Sequence, residues 1–291
     1  MPKPHLHRIL LPALLCLLIL AGCSTKTAYN FLDWAIEWKV QRLVTLHGQQ
    51  KHQMRQAVRE FHQWHRTTQL PIYADYLQSV EALLQQGPLT ADAIHAETDK
   101  IQLLVDDAIN KILPDAAAVL SQLSDDQVTQ LMGRIAEERE EYREEYVDIG
   151  AAKQVKKRQE EFIKYFSDWV GRLDSRQKKQ IAQWAQSLQP YEQLNLRQQK
   201  IWEDNLRAIL AQRQDPEKLL AGLQGLMFHR TDNWQLELEQ IMDHNQKRTY
   251  EVLAKLVNEL NEKQRKHLFD KLADYRKVFL ELAGRNQDSN S

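Results

Sequence analysis

Residues that interrupt helices are scarce throughout this sequence. It contains nine glycines and eight prolines in 291 residues, well below the usual shares of about 7% and 5%. Glutamine, glutamate, leucine, alanine, lysine and arginine dominate the composition, and all six are strong helix formers. Apolar residues recur at helical spacing from Tyr29 onwards. The sequence therefore predicts an all-α fold, an elongated array or bundle of about nine to eleven helices.

Capping residues and prolines give the expected helix boundaries. We expect a first helix over residues 29–44, a second over 49–67, and a third that begins at Leu70-Pro71. Pro114 should end one helix and begin a shorter one, because a proline in a helix interior removes a backbone hydrogen bond. Further N-caps are expected at Ser124, Asp174 and Asp215, and at Asn261 before the last helix.

The first 24 residues have the pattern of an export signal. Met1–Arg8 is short and positively charged, and Ile9–Ala21 is almost wholly apolar. As a helix, this apolar segment would span about 20 Å, which is short of the roughly 30 Å hydrocarbon core of a bilayer. Such a segment is typical of a cleaved signal peptide. An ordinary secretory signal with a chance cysteine and an uncleaved anchor helix are the alternatives.

The end of this segment, Leu20-Ala21-Gly22-Cys23, resembles the lipobox of bacterial lipoproteins. The resemblance implies cleavage before Cys23, diacylation of its thiol and acylation of the new amine. In lipoprotein sorting, Ser24 rather than aspartate after the cysteine implies export to the outer membrane. We therefore expect a protein held in the inner leaflet of that membrane, facing the periplasm of the bacterial cell envelope.

The sequence then divides into four parts. We expect a signal peptide at 1–22, a short acylated tether at 23–28, a single helical domain at 29–284 and a polar tail at 285–291. Of the two cysteines, Cys16 leaves with the signal and Cys23 is acylated, so no disulfide is expected. About 269 mature residues bury enough surface to fold without one.

The charge balance bears on the expected partners. Cleavage would leave 37 basic residues against 40 acidic ones, so neither nucleic acid nor an anionic lipid patch is indicated. The expected partners are the membrane, through the lipid anchor, and envelope proteins. A mixed charge run over residues 137–145 reads as a solvated helix face, or as a protruding helix offered to a partner. The oligomeric state is not determined by the sequence.

The densest aromatic stretch follows the tether. Phe31, Trp34 and Trp38 share one helical face. Such a broad apolar face is usually part of a core, but tryptophan also favours the headgroup zone of a membrane. Both readings stay open, and Phe31, Trp34, Trp38 and Trp64 together are the candidate interaction surface.

Few residues offer chemistry. His62 and His65 are three positions apart on a predicted helix and could share a metal ion, although a competent site needs further ligands. No nucleophile elbow, phosphate-binding glycine loop or dinucleotide fingerprint occurs in the sequence. We expect no enzymatic activity and no cofactor apart from the acyl chains on Cys23.

One short pattern recurs four times: leucine, three residues, glutamine, three residues, then leucine, isoleucine or methionine. The copies begin at Leu46, Leu123, Leu173 and Leu260. In three of them a small polar residue follows the first leucine, which predicts a capping box at a helix start. The pattern is also similar to the Leu-Thr-x-x-Gln motif of Spy-like periplasmic chaperones, and this similarity implies a holdase in envelope stress as an alternative function.

A second resemblance rests on Tyr29-Asn30-Phe31-Leu32-Asp33-Trp34, Trp64-His65-Arg66 and Leu70-Pro71-x-Tyr73. With the lipobox, these motifs resemble a family of uncharacterised proteobacterial lipoproteins. The resemblance implies an all-helical envelope lipoprotein and transfers no catalytic residue. The function expected from the sequence is therefore a non-enzymatic, lipid-anchored protein with a protein-interaction or scaffold role at the membrane surface.

Overall fold

The computed structural model describes residues 23–228 and 235–284, and every regular element in these ranges is helical. The all-α multi-helix prediction is confirmed. The expected signal peptide and polar tail lie outside the described residues. The helices are α1 (Cys23–Asn30), α2 (Leu32–Leu43), α3 (Gly48–Trp64), α4 (Leu70–Gln86), α5 (Ala91–Leu120), α6 (Asp125–Tyr142), α7 (Ala151–Val170), α8 (Ser175–Ser187), α9 (Glu192–Ala211), α10 (Pro216–Phe228), α11 (Leu236–Asn258) and α12 (Glu262–Gly284). Two π-helical segments, His65–Gln69 and Arg143–Val147, follow α3 and α6.

The predicted helix start at Leu70-Pro71 is confirmed, and the one at Pro114 is wrong. The helix α4 begins at Leu70 with Pro71 in its first turn, and the π-helical segment leads into it with the Leu70 N–H bonded to the His65 carbonyl. Pro114 lies inside α5. The cost of a proline in a helix interior is about 3 kcal/mol, and the buried neighbours Leu113 and Ala117 hold this stretch of α5 in the core.

The first predicted helix is divided in two. Residue Phe31 interrupts it, so that α1 and α2 are separate helices. Residues 23–28, expected as a tether, form most of α1. A helix rises only about 1.5 Å per residue, so Tyr29 lies about 9 Å along the helix from Cys23 rather than at the end of an extended segment.

The recurring leucine–glutamine pattern builds two joints between helix starts. In the first joint, the N-termini of α3 and α6 meet, and the Gln50 and Gln127 side chains exchange two amide hydrogen bonds of 2.9 and 2.8 Å. Each glutamine oxygen also accepts the backbone N–H three residues before it, from His47 and Ser124. Gln127 further donates to the Thr45 carbonyl.

The second joint repeats this arrangement between α8 and α12. Gln177 and Gln264 are buried and exchange amide hydrogen bonds of 3.0 and 2.9 Å. Gln264 also donates to the Arg172 carbonyl at 2.9 Å. The capping boxes predicted at Ser124, Asp174 and Asn261 are confirmed, since each side chain accepts the N–H of its glutamine. The repeat therefore holds pairs of helices together at their N-termini.

Four clusters of apolar side chains form the core. The largest is built from α3, α5, α6, α9 and α10 together with the α2–α3 connection. The second lies between α4 and α12 and includes Tyr29 and Leu32. Ile36 packs against both of these clusters, and Trp169 packs against the second and the third. The apolar side of α2 is thus part of a core that runs through the described helices.

Buried polar side chains fix the remaining connections. Asn245 on α11 makes two hydrogen bonds of 2.8 Å with the backbone of Gln189, in the turn before α9. Arg158 on α7 and Glu192 on α9 form a buried ion pair with three hydrogen bonds of 2.5–2.8 Å. An unpaired charge at either position would be costly, so the pair fixes α7 against α9.

Candidate functional site

The exposed aromatic face of α2 is formed by Trp34 and Trp38 together with Phe31, the residue that precedes the helix. These side chains are 60%, 64% and 51% exposed. The opposite flank of the same helix faces inward, where Leu32 is buried and Ile36 packs on the core. A single wide apolar surface is therefore divided into an inner half and an outer half.

The reading of Phe31, Trp34 and Trp38 as core residues is wrong. The helices α3 and α6 pack against α2, and Ile36 packs on the core while Leu32 is buried in the second cluster. The three aromatic side chains are rotated away from these neighbours by the 100° step of the helix. Arg42, one turn after Trp38, places its guanidinium 5.0 Å from the centre of the indole ring.

Trp64 lies in a different environment from the aromatic face. It is half-buried on α3, with its ring centre 5.6 Å from that of Phe61 and 6.5 Å from that of His65. Packing against these two side chains makes Trp64 part of a buried group of side chains around His62 and His65, which we call the histidine cluster. The structure does not place it with the three exposed aromatic residues.

The histidine cluster occupies the junction of α1, α3 and the π-helical segment. The Tyr29 hydroxyl lies 2.9 Å from His65 Nδ1, and the Tyr29 ring centre lies 4.8 Å from that of His62. His62 Nδ1 is 3.3 Å from a carboxylate oxygen of Asp33. The Tyr73 ring also packs against His65 in an edge-to-face arrangement, with 5.4 Å between the ring centres. The cluster holds α1 to the body of the protein.

Burial controls the ionisation of this cluster. Burial, together with the smaller effect of the nearby His62, lowers the pKa of His65 to about 4. Burial also lowers the pKa of His62, while the Asp33 carboxylate acts in the opposite direction. The pKa values of Tyr29 and Tyr73 are raised, mainly by the same removal of water. At neutral pH, His65 is therefore a neutral ring that bonds to the neutral Tyr29 hydroxyl.

The metal prediction concerns the same two histidines. His62 Nε2 and His65 Nε2 are buried and make no hydrogen bond within the described part of the protein, and the same holds for Gln69 Oε1. Residues 23–228 and 235–284 contain no group of three or more histidine, cysteine, aspartate or glutamate side chains placed to hold a metal ion. The histidine pair offers two nitrogen ligands, and metal binding stays a prediction.

Two further features were candidates for function. An open depression of about 640 Å³ lies over the first glutamine joint and is lined by neutral amides, hydroxyls, His47 and Asp126.

The charge run on α6 packs against the body, since Glu138 pairs with Lys39 on α2 and Arg139 pairs with Glu203 on α9. The run is therefore not a protruding helix.

A family model described as a family of unknown function (DUF6279) matches residues 42–239. No curated protein and no solved structure matches the chain. Among the described helices, none combines the length and the apolar character that a membrane span requires. The expectation of an uncharacterised family is confirmed in this coarse form, whereas the lipobox and the Spy-like similarity stay predictions.

Proposed function

The chain belongs to the DUF6279 family of unknown function, and we propose that it is a lipid-anchored protein of the bacterial envelope that acts by binding rather than by catalysis. The anchor is a set of acyl chains on Cys23, and Ser24 directs the protein to the inner leaflet of the outer membrane. Its helical body then faces the periplasm and acts as a scaffold for other envelope proteins.

The observation that carries this proposal is the exposure of Phe31, Trp34 and Trp38 so close to Cys23. Large exposed apolar patches on folded proteins mark interaction surfaces. The helix α1 covers the eight residues from Cys23 to Asn30, so the aromatic face begins about 12 Å along the chain from the proposed anchor. An interaction surface at this place supports a role at the membrane.

The buried ionisable residues support a binding role rather than catalysis. Arg158 and Glu192 form a closed ion pair, and Arg213 donates to the Leu123 and Leu210 carbonyls at 2.8 and 3.1 Å. These side chains are occupied by contacts that join helices. The repeat offers no support for the holdase alternative, because a client surface would need the leucines exposed, and Leu46 and Leu123 are buried in the first joint.

The anchor is tested by separating export from lipidation. Residues 1–22 are replaced by a cleavable signal from a secreted, non-lipidated protein, and Cys23 is changed to alanine. We expect this chain to be released into the soluble periplasmic fraction, whereas the native protein sediments with the outer membrane. The matched control is Cys16→Ala in the native chain, which should remain in the membrane. Equal sedimentation of the Cys23 variant would refute lipid anchoring.

The scaffold role is tested by crosslinking in intact cells. A photoreactive residue replaces Leu103 or Leu236, which are 66% and 67% exposed apolar side chains of the helical body. We expect crosslinks to one defined set of envelope proteins. The control position is the exposed Gln186 on α8. If both apolar positions give only the background seen at Gln186, the scaffold role is refuted.

A further inference from the structure

We infer that the aromatic face of α2 binds the lipid headgroup region of the membrane that carries the anchor. This inference rests on the proposed function, because it takes acylated Cys23 as the point of attachment. To the proposed function it adds a partner for the aromatic face. Phe31, Trp34 and Trp38 enter the bilayer interface and set the orientation of the protein on the membrane.

The chemistry of the face fits a bilayer interface. Tryptophan and phenylalanine combine a large apolar ring with little conformational entropy, and tryptophan rings concentrate at the headgroup level of membranes. Three such side chains, each more than half exposed, lie on one side of α2. The described helices leave this side uncovered, so its apolar area is available to lipid.

The place of the face fits the same partner. The acylated residue would sit in the bilayer surface, and α1 connects it directly to Phe31 through eight helical residues. The body cannot turn freely about this connection, because Tyr29 at the end of α1 is buried and hydrogen-bonded to His65. The aromatic face is therefore held close to the anchored membrane.

The charges around the face also favour phosphate headgroups. The two carboxylates of α2 face other protein groups: Asp33 contacts His62, and Glu37 accepts a 2.8 Å hydrogen bond from Arg55. Arg42 instead lies over the Trp38 ring. A guanidinium in this position can bind a lipid phosphate while the indole ring enters the interface.

This contact is an orienting one and does not replace the anchor. Without acyl chains, we expect the protein to bind membranes weakly and reversibly, with half-saturation at about 0.1–1 mM accessible lipid. This strength is comparable with the binding that a single myristoyl chain provides. Such binding is lost during cell fractionation. Release of the non-lipidated chain from membranes is therefore compatible with a measurable affinity for vesicles.

The test uses the purified mature chain, residues 23–291, with Cys23→Ala to remove the lipid. Flotation with vesicles of phosphatidylethanolamine and phosphatidylglycerol gives its affinity. The combined variant Phe31→Ser, Trp34→Ser and Trp38→Ser should bind about 10- to 100-fold more weakly. The matched control changes three other exposed apolar residues, Leu103, Tyr165 and Leu236, to serine and should bind within about twofold of the parent. Circular dichroism melts verify that both triple variants remain folded.

A second readout locates the contact. Vesicles containing brominated lipid should quench part of the tryptophan fluorescence of the parent, and this part should be lost in Trp34→Phe with Trp38→Phe. Absence of vesicle binding, or equal binding of the two triple variants, overturns the inference. If the aromatic triple variant binds vesicles like the parent but no longer forms the protein crosslinks expected from Leu103 or Leu236, the occupant of the face is a protein, and the inference is overturned as well. The Cys23 fractionation experiment is independent of these results and tests the anchor alone.

Discussion

The second glutamine joint predicts a measurable coupling between α8 and α12. Gln264→Met removes the acceptor of the Asn261 N–H and the donor to the Arg172 carbonyl, and it leaves the buried Gln177 amide without its partner. A lost cap bond costs about 1 kcal/mol, and buried polar groups left unpaired add about 1–3 kcal/mol. We expect a loss of about 2–4 kcal/mol in the free energy of unfolding. Gln177→Met should cost a similar amount.

The double variant distinguishes an amide pair from two independent caps. When both partners become apolar, neither leaves the other unpaired, so the double loss should fall short of the sum of the single losses by about 1–2 kcal/mol. Urea unfolding followed by circular dichroism at 222 nm provides the four free energies. Gln186→Met, at an exposed site on α8, should change stability by less than about 0.5 kcal/mol. If the double variant loses as much free energy of unfolding as the two single variants together, the role assigned to the pair is refuted.

Three other predictions concern buried polar groups. Glu192→Leu should lower the free energy of unfolding by about 3–5 kcal/mol because it leaves the Arg158 charge buried and unpaired, whereas Arg158→Met with Glu192→Leu should recover most of this loss in the same urea assay. Burial lowers the pKa of His65 from 6.5 to about 4, so between pH 6.5 and pH 4 this side chain binds a proton in the unfolded chain but not in the folded one. The free energy of unfolding should therefore fall by about 2 kcal/mol from pH 7 to pH 5 because of this residue. The variant His65→Gln should not show this part of the loss. Asn245→Ala should cost about 2 kcal/mol, since two hydrogen bonds to the Gln189 backbone are lost, and faster amide hydrogen exchange at residues 188–190 would verify the local cause.

Local signals in the sequence were sufficient for the helical fold and its best-defined ends. Helix-forming composition predicted the fold class, and polar caps followed three residues later by glutamine predicted the starts of α6, α8 and α12. These features depend on hydrogen bonds within one short segment. The same segments did not reveal that Gln50 pairs with Gln127, because that contact joins helix starts far apart in the chain.

One proline misled the prediction for a physical reason. At Pro71 a helix begins as expected, and only the π-helical segment that precedes it had no signal in the sequence. At Pro114 the core keeps the helix continuous despite the lost hydrogen bond. There tertiary packing outweighs the local preference that the sequence displays.

The candidate site was only partly accessible from sequence. Periodicity identified the aromatic residues of α2, but it could not say which flank of a helix that is apolar on more than one side faces the core. The participation of Tyr29 and Tyr73 in the histidine cluster was missed. The phenylalanine that separates α1 from α2 carries no helix-breaking signal, so the turn that brings Tyr29 onto His65 could not be predicted.

The central proposal is most directly tested by the mass of the native N-terminal peptide. The protein is extracted from membranes of its own host, digested, and the N-terminal peptide is measured by mass spectrometry. We predict a chain that begins at Cys23 and carries a diacylglycerol thioether together with an amide-linked acyl chain. A chain that begins at another residue, or one with a free Cys23 thiol, would contradict lipid anchoring and the placement of the aromatic face at the membrane.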